Sequence, residues 1–201
     1  MSLQDLSYKF YDDAALTQLT PPVIQFTHQT DLSDNPQNRR MWFGSPLSAR
    51  KLQANSNPGV ANITITPTYI LPDRANLTPY TLGQSVRVGN FRYVVQTPGE
   101  TAASAPTFST TIGSTVLDGS VLWRCEAAAR KATDYKLALT EAGLSTATGG
   151  AALPLGVEIL GGSANAPEIW MQVNNEIGTV SSNSAQPEIA LSINEVIEGA
   201  V

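Results

Sequence analysis

The chain has 201 residues, enough for one large β domain or two small ones, and its composition excludes several functions. Charged residues make up 14% of the chain, compared with roughly 25% in an average soluble domain, and the net charge is -5. The 12 Lys and Arg residues form no run longer than Arg39-Arg40. Because proteins bind nucleic acid through a basic face, we expect no direct contact with nucleic acid.

The sequence lacks the residues that most catalytic and metal sites need. Its single cysteine, Cys125, excludes an internal disulfide and a cysteine-based zinc site, and is expected to be a buried apolar residue. Its single histidine, His28, alternates with Ile24 and Phe26 on a predicted strand, where a structural role is expected. The sequence contains neither a Gly-x-Ser-x-Gly elbow nor the aspartate spacing of a calcium loop. We therefore predict a protein that is not an enzyme and that binds no cofactor and no metal.

The hydropathy of the chain gives no sign of a membrane segment. No stretch approaches the roughly 18 consecutive apolar residues that a membrane span requires. The opening Met-Ser-Leu-Gln-Asp does not resemble a secretory signal. We expect the chain to be kept in a cytoplasm until it is assembled into a larger particle or released.

The first region, residues 1–71, is predicted to form several strands of a β-sandwich. The runs with strand-like patterns are residues 8–11, 23–30, 41–44 and 63–69. The polar residues 31–40 are predicted to be a loop. Pro67 lacks the backbone N–H that a central strand uses, so the last run is predicted to be an edge strand or to end early.

The central region, residues 72–128, is predicted to be a small β module. Short aromatic and β-branched runs are each closed by a Gly or Pro turn signal. Two hairpins are predicted, with two-residue turns at Gly89-Asn90 and Asp118-Gly119. Between the hairpins, residues 97–111 are rich in Pro, Ala and Ser, and are predicted to be the most mobile element of the chain.

The third region, residues 129–201, contains regularly spaced short runs with polar or Gly-rich turns between them. The runs are residues 135–139, 155–159, 169–173 and 189–193. Helix propensity alone favours a helix over residues 128–139, and a helical turn at 127–131 remains an alternative to strand. The chain as a whole is predicted to be all-β, with a discontinuous sandwich formed by residues 1–71 and 129–201 that carries the central module as an insertion.

The central module has a recognisable beginning and end. It starts with Tyr-x-x-Gly-x-x-Val at Tyr80, and ends with Thr-Val-x-Asp-Gly-x-Val-x-Trp-x-Cys at Cys125. This spacing resembles a module found inserted in many virion proteins of tailed bacteriophages, and its first half is similar to chitin-binding-type carbohydrate-binding modules. The flanks contain Met41-Trp-Phe-Gly44, Ala54-Asn-Ser-Asn-Pro58-Gly59, and Leu153-Pro-Leu-Gly156 followed by Gly161-Gly162. With these sequences the flanks are also similar to phage sandwich proteins of the neck and decoration type. The module family often has an acidic residue where this chain has Gln84.

The resemblance implies a candidate carbohydrate site. Tyr80, Tyr93 and Trp123 match aromatic positions of the module family, and flat aromatic rings on a rigid sheet can stack on sugar rings. The alternative for Trp123 is a core position, which is favoured because a single Trp often forms most of the core of so small a module. Trp42 and Trp170, each within an apolar alternation, are expected in the sandwich core.

We therefore expect a non-enzymatic structural protein of a phage virion, at the neck or collar, the tail or the capsid surface. Its partners would be other virion proteins and copies of itself, and it would reach the virion by assembly in the host cytoplasm. The rival hypothesis is a carbohydrate-binding adhesin whose central module recognises a host polysaccharide. The exposure of the three aromatic residues of the candidate carbohydrate site distinguishes the two.

Overall fold

A computed structural model describes residues 6–24, 26, 34–174 and 189–201. These residues form strands joined by turns and three short 3-10 turns, and no α-helix occurs among them, so the predicted all-β class is confirmed. The strands are β1 (Lys9–Tyr11), β2 (Gln37–Gly44), β3 (Arg50–Ala54), β4 (Ile63–Tyr69), β5 (Pro79–Tyr80), β6 (Ser85–Val88), β7 (Phe91–Thr97), β8 (Gly99–Glu100), β9 (Thr115–Asp118), β10 (Val121–Ala128), β11 (Tyr135–Ala138), β12 (Leu153–Gly156), β13 (Glu158–Leu160), β14 (Glu168–Val173), β15 (Ile189–Ile193) and β16 (Val196–Ala200).

The chain divides into two compact units. Among the described residues, the first unit contains those up to Thr68, those from 132 to 174, and Leu191–Val201. The second contains Tyr69–Lys131 together with Ile189 and Ala190. The sequence-based boundaries at 72 and 128 lie within three residues of the ends of this central segment. That the central segment folds independently stays a prediction.

The first unit, which we call the sandwich unit, buries one core between several antiparallel sheets. Its sheets have the strand orders β1-β2-β14-β11, β12-β4-β15 and β13-β3-β16. Each sheet contributes alternate residues to the same apolar cluster. Fully buried members of that cluster are Tyr8, Met41, Phe43, Leu52, Ile63, Ile65 and Ile169.

Several predictions for the first region need correction. Residues 37–40, predicted to be loop, form the first half of β2, because they pair residue by residue with β14. β4 runs through Pro67 as the middle strand of its sheet, although its pairing with β12 covers only residues 63–65. Val23, Ile24 and Phe26 lie outside any strand, and the rest of the predicted run at 23–30, including His28, lies outside the described residues.

The third region follows the predicted strands with two exceptions. The single run predicted at 155–159 is two strands, β12 and β13, which pair with different partners, β4 and β3. A helical turn at 127–131 is not formed, because β10 continues to Ala128 and a 3-10 turn follows only at Ala132–Asp134. The other predicted runs correspond to β11, β14 and β15.

The second unit, which we call the inserted unit, is a four-stranded sheet with the order β6-β7-β10-β9 and a short β5-β8 pair. The hairpin at Gly89-Asn90 is present as predicted, with Val88 opposite Phe91. The second turn is displaced by one residue: Asp118 belongs to β9 opposite Val121, so Gly119-Ser120 forms the turn. Gly119 has a φ of +64°, which suits the first central position of a type II′ turn.

The loop at residues 97–111 is anchored more firmly than its composition indicates. Thr101 is buried, and its hydroxyl donates to the carbonyl of Ala75 at 2.7 Å. The ring of Phe108 packs edge-on against Tyr93, with ring centres 4.8 Å apart. The loop is therefore anchored at Thr101 and Phe108, while exposed residues remain on both sides of these two anchors and, between them, at Ala103, Ser104, Ala105 and Thr107.

Candidate functional site

Two of the three predicted carbohydrate residues of the inserted unit lie in its core, and the third packs against that core. Trp123 is 0% exposed and Tyr93 is 1% exposed. Tyr80 is half-buried, and its ring meets Trp123 edge-on with ring centres 4.9 Å apart. The Tyr80 hydroxyl oxygen accepts the backbone N–H of Ala75 at 3.0 Å. The three rings therefore pack together within one unit and offer no shared flat face on which a sugar ring could stack.

A buried ion pair fixes Trp123 in this core. Arg74 donates from Nε and Nη2 to the two carboxylate oxygens of Asp118, each at 2.8 Å, and the side chains are 5% and 0% exposed. The same carboxylate accepts the indole N–H of Trp123 at 3.1 Å and the backbone N–H of Ala102 at 3.0 Å. Burial alone raises the pKa of Asp118, but these hydrogen bonds outweigh it and hold the pKa below its ordinary value. The network is structural, because every acceptor site of the carboxylate is already used.

The most distinctive surface lies on the sandwich unit, on the outer side of the sheet β1-β2-β14-β11. Residues 41 and 43 of β2 and residues 169 and 171 of β14 point into the core, so their neighbours point outward. Trp42 and Trp170 are among these outward residues and are half-buried, which corrects their predicted place in the core. The outward residues Asn38, Arg40, Trp42, Glu168, Trp170 and Gln172 form the surface that we call the aromatic face.

Arg40 connects the two indole rings of the aromatic face. Its guanidinium carbon lies 4.8 Å from the ring centre of Trp42 and 5.6 Å from that of Trp170, within the range of a cation–π interaction. The Arg40 side chain is 52% exposed, and its nearest carboxylate, that of Glu168, is 3.9 Å away. The guanidinium therefore makes no hydrogen bond with any described residue, and its donors remain available.

The polar residues of the aromatic face are held in fixed positions. The indole N–H of Trp170 donates to Glu168 Oε1 at 2.6 Å. At the other end of the face, Gln172 donates from Nε2 to Asn38 Oδ1 at 3.0 Å, and Asn38 Nδ2 donates to Glu141 Oε1 at 3.3 Å. A rigid sheet with tethered side chains loses little conformational freedom when it binds a partner.

Both edges of this sheet are partly covered by neighbouring segments. On the β1 side, Leu19 forms a bridge with Tyr11, and the N–H of Thr20 donates to the carbonyl of Phe10 at 2.9 Å. On the β11 side, the N–H of Gly150 donates to the carbonyl of Tyr135 at 2.8 Å. Strand addition at either edge is therefore hindered, and the side chains of the aromatic face are what the sheet offers to a partner.

Neither a cluster of metal ligands nor an exposed thiol occurs among the described residues. No group of three His, Cys, Asp or Glu side chains in these residues is placed to hold a metal ion. Cys125 is fully buried, and burial raises the pKa of its thiol, which disfavours the reactive thiolate. No helix of the described ranges is long and apolar enough to span a membrane.

Comparisons with protein-family models, with curated proteins and with solved structures found no match for this chain. The resemblance of residues 80–125 to the phage module therefore rests on the sequence pattern alone. The aromatic face was missed at the sequence level, although a signal for it existed. In β2 and β14, each Trp lies between two apolar residues, Met41 and Phe43 or Ile169 and Met171, and strict alternation then places the Trp on the outer side.

Proposed function

We propose that this chain is a non-enzymatic structural protein of a tailed-bacteriophage virion that assembles in many copies at the neck or collar, the tail or the capsid surface. The phage context comes from the sequence resemblance of the inserted unit. The proposal that the chain works by binding rests on one structural observation, the Trp42–Arg40–Trp170 arrangement on the aromatic face.

The composition of the aromatic face matches that of protein–protein contacts. Trp, Tyr and Arg dominate the residues that contribute most to binding energy at such contacts, whereas Lys is depleted there. A half-buried indole has already lost part of its hydration, so covering its remaining surface is favourable at about 25 cal/mol per Å². The low charge of the chain, 14%, is also suited to surfaces that meet other proteins.

The burial of its candidate residues argues against the carbohydrate-binding alternative. Tyr93 and Trp123 are inaccessible, and Tyr80 uses its ring edge and its hydroxyl within the inserted unit. We therefore keep assembly as the function and polysaccharide binding as an outcome that the experiments can reveal.

The test is to locate the chain in purified virus particles. Mass spectrometry of the particles should detect the chain, and a particle reconstruction should show repeated copies, located in the virion after assembly in the host cytoplasm. In the reconstruction, the aromatic face should contact a neighbouring subunit. Absence of the chain from the particles, or cleavage of glycans or peptides that depends on a single carboxylate, would overturn the proposal.

A further inference from the structure

We infer that the aromatic face receives the aromatic face of a second copy of this chain, related by a two-fold axis that runs parallel to the strands between β2 and β14. This inference rests on the proposed function, because it specifies one of the contacts through which the copies assemble. Assembly in many copies does not by itself require that this face meets a second copy, or that a two-fold axis relates the two copies.

The register of the two central strands makes the face self-complementary. Arg40 lies opposite Trp170, Trp42 opposite Glu168, and Asn38 opposite Gln172. A two-fold axis between the strands places β2 of one copy over β14 of the other at the same level. Each of these residues then faces, across the contact, a copy of the residue that it pairs with inside its own sheet.

Two of the three pairs of facing residues, Arg40 with Trp170 and Asn38 with Gln172, make contacts of a familiar kind. Arg40 would lie over Trp170 of the second copy, which repeats the cation–π contact seen within the chain. Asn38 and Gln172 would meet as two amides, each with a donor and an acceptor. The alternative axis, perpendicular to the strands, brings Arg40 against its own copy and so loses the cation–π contact with Trp170 across the interface.

Trp42 supplies the most specific argument. Trp170 donates its indole N–H to Glu168, whereas the indole N–H of Trp42 has no hydrogen-bond partner among the described residues. In the two-fold arrangement, Trp42 faces Glu168 of the second copy. That carboxylate has a second oxygen, Oε2, which can accept the unused N–H. The face therefore carries an unused donor and an acceptor oxygen that a second copy, in this orientation, can pair across the contact.

The size of the face indicates a weak contact in solution. The face lies on two strands, β2 and β14, which are about 4.8 Å apart and carry three outward residues each, about 6.8 Å apart along the strand, so it covers about 200 Å² per copy. A standard stable interface buries about 800 Å² per partner. We therefore expect the isolated chain to dimerise only at high concentration, and a particle to strengthen the contact through multivalency.

The three tryptophans allow the contact to be measured in the intact chain. The indole ¹H–¹⁵N signals of Trp42 and Trp170 should shift as the concentration rises from about 10 µM to about 1 mM, where contacts of this strength become populated. The signal of Trp123, buried in the inserted unit, should stay constant and reports that the fold is intact. Sedimentation at the same concentrations should show a monomer–dimer equilibrium.

Variants separate the parts of the contact. Trp42→Phe keeps an aromatic ring but removes the N–H donor from both copies, so two equivalent hydrogen bonds are lost and dimerisation should weaken about 10- to 100-fold. Trp42→Ala should abolish it over the whole concentration range, as expected for a central aromatic residue. Arg40→Ala tests the same face at an exposed side chain whose loss leaves the core intact. Arg124→Ala is the control, because Arg124 is an exposed arginine of the inserted unit, and it should leave dimerisation unchanged.

Each contrary result has a distinct meaning. Self-association without shifts of Trp42 and Trp170 would overturn the two-fold contact and leave the proposed function standing. Absence of self-association, together with absence of the chain from particles, would overturn both. Shifts of the two indole signals that follow added chito-oligosaccharide and not protein concentration would show that the aromatic face binds sugar, and would also overturn the inference.

Discussion

Arg74 and Asp118, 44 residues apart in the chain, form a two-point ion pair inside the inserted unit, with both N–O distances at 2.8 Å. The pair joins the segment that enters the unit to the last residue before the second hairpin turn. Asp118 also accepts from Trp123 and from the backbone of Ala102, so one carboxylate holds the entry segment, the core indole and the long loop. The stability of the unit is therefore concentrated in a few contacts.

Removing one partner of this pair should be costly. We expect Arg74→Met to lower the free energy of unfolding of the inserted unit by about 3–5 kcal/mol, because it leaves the Asp118 charge buried without its cation. The double variant Arg74→Met/Asp118→Asn should lose less than the sum of the two single variants, since the unpaired charge is gone. Urea unfolding followed by the indole ¹H–¹⁵N signal of Trp123, which is separate from those of Trp42 and Trp170, measures the effect. Arg124→Met, at an exposed arginine of β10, is the control and should change stability by less than about 0.5 kcal/mol.

The inserted unit should lose stability in acid through Asp118. Its pKa is held below its ordinary value, so its contribution is complete above about pH 4 and is lost as the pH falls further, through the pKa of the folded state. The difference in unfolding free energy between the wild type and Asp118→Asn should be constant from pH 7 to about pH 4 and should narrow below it. A difference that already narrows between pH 7 and pH 5 would contradict the assignment.

Tyr93 should make the inserted unit sensitive to alkali. Burial raises the pKa of Tyr93 to about 12, and its hydroxyl donates to the carbonyl of Ser109 at 2.7 Å. Its contribution is complete below the ordinary pKa of about 10 and is lost as the pH rises towards the folded value, at about 1.4 kcal/mol per pH unit. Tyr93→Phe should remove this contribution to the decrease in unfolding free energy at alkaline pH. If the unfolding free energies of the wild type and of Tyr93→Phe fell with the same slope between pH 10 and 11, the assignment of this pH dependence to Tyr93 would be wrong.

Limited proteolysis should cut the long loop only at its exposed part. Elastase, which cleaves after small residues, should cut within residues 103–105, which are exposed. Chymotrypsin should not cut after Phe108 in the folded chain, because that ring is packed against Tyr93. Tyr93→Ala should release Phe108 and make it cleavable. Rapid cleavage after Phe108 in the wild type would show that the loop is not anchored.

Assembly should be insensitive to salt. The aromatic face relies on indole and guanidinium contacts with few opposed charges, and contacts that become buried are screened far less than exposed charges. We expect the dimerisation constant to change by less than about threefold between 50 and 500 mM NaCl. A much larger decrease would mean that charge attraction between exposed groups drives the contact.

The sequence predicted the class of the fold well because strand alternation is a local signal. β7, β10, β11 and β14 all show it, and each was identified. β3, with the sequence Arg-Lys-Leu-Gln-Ala, was missed because it has only one strongly apolar residue and few β-formers. It is a strand because β13 and β16 pair with it on both sides, and this pairing depends on residues more than 100 positions away.

The candidate site was predicted less well, for a physical reason. Aromatic residues are both the best core residues and the best contact residues, so their presence does not decide between the two. Trp123 was placed correctly in the core by the alternative interpretation, while Trp42 and Trp170 were assigned to the core although they face outward. The side of the sheet on which a residue lies depends on the strand register, and the extent of β2 was underestimated by four residues.

The close backbone packing around Gly99 and Gly119 has a consequence for how relatives of this chain can vary. A Cβ at Gly99 would lie 2.4 Å from the hydroxyl of Ser120, and one at Gly119 would lie 2.3 Å from the carbonyl of Glu100. Even a substitution by alanine at either position would therefore cause a steric clash. Insertions or deletions among the exposed residues 103–105, in contrast, should cost little stability. Divergent sequences should keep both glycines at a variable spacing, with every change in length falling between Ala102 and Phe108. Two conserved glycines at the positions of Gly99 and Gly119, separated by a loop of variable length, would therefore identify related inserted units even where the rest of the sequence has diverged.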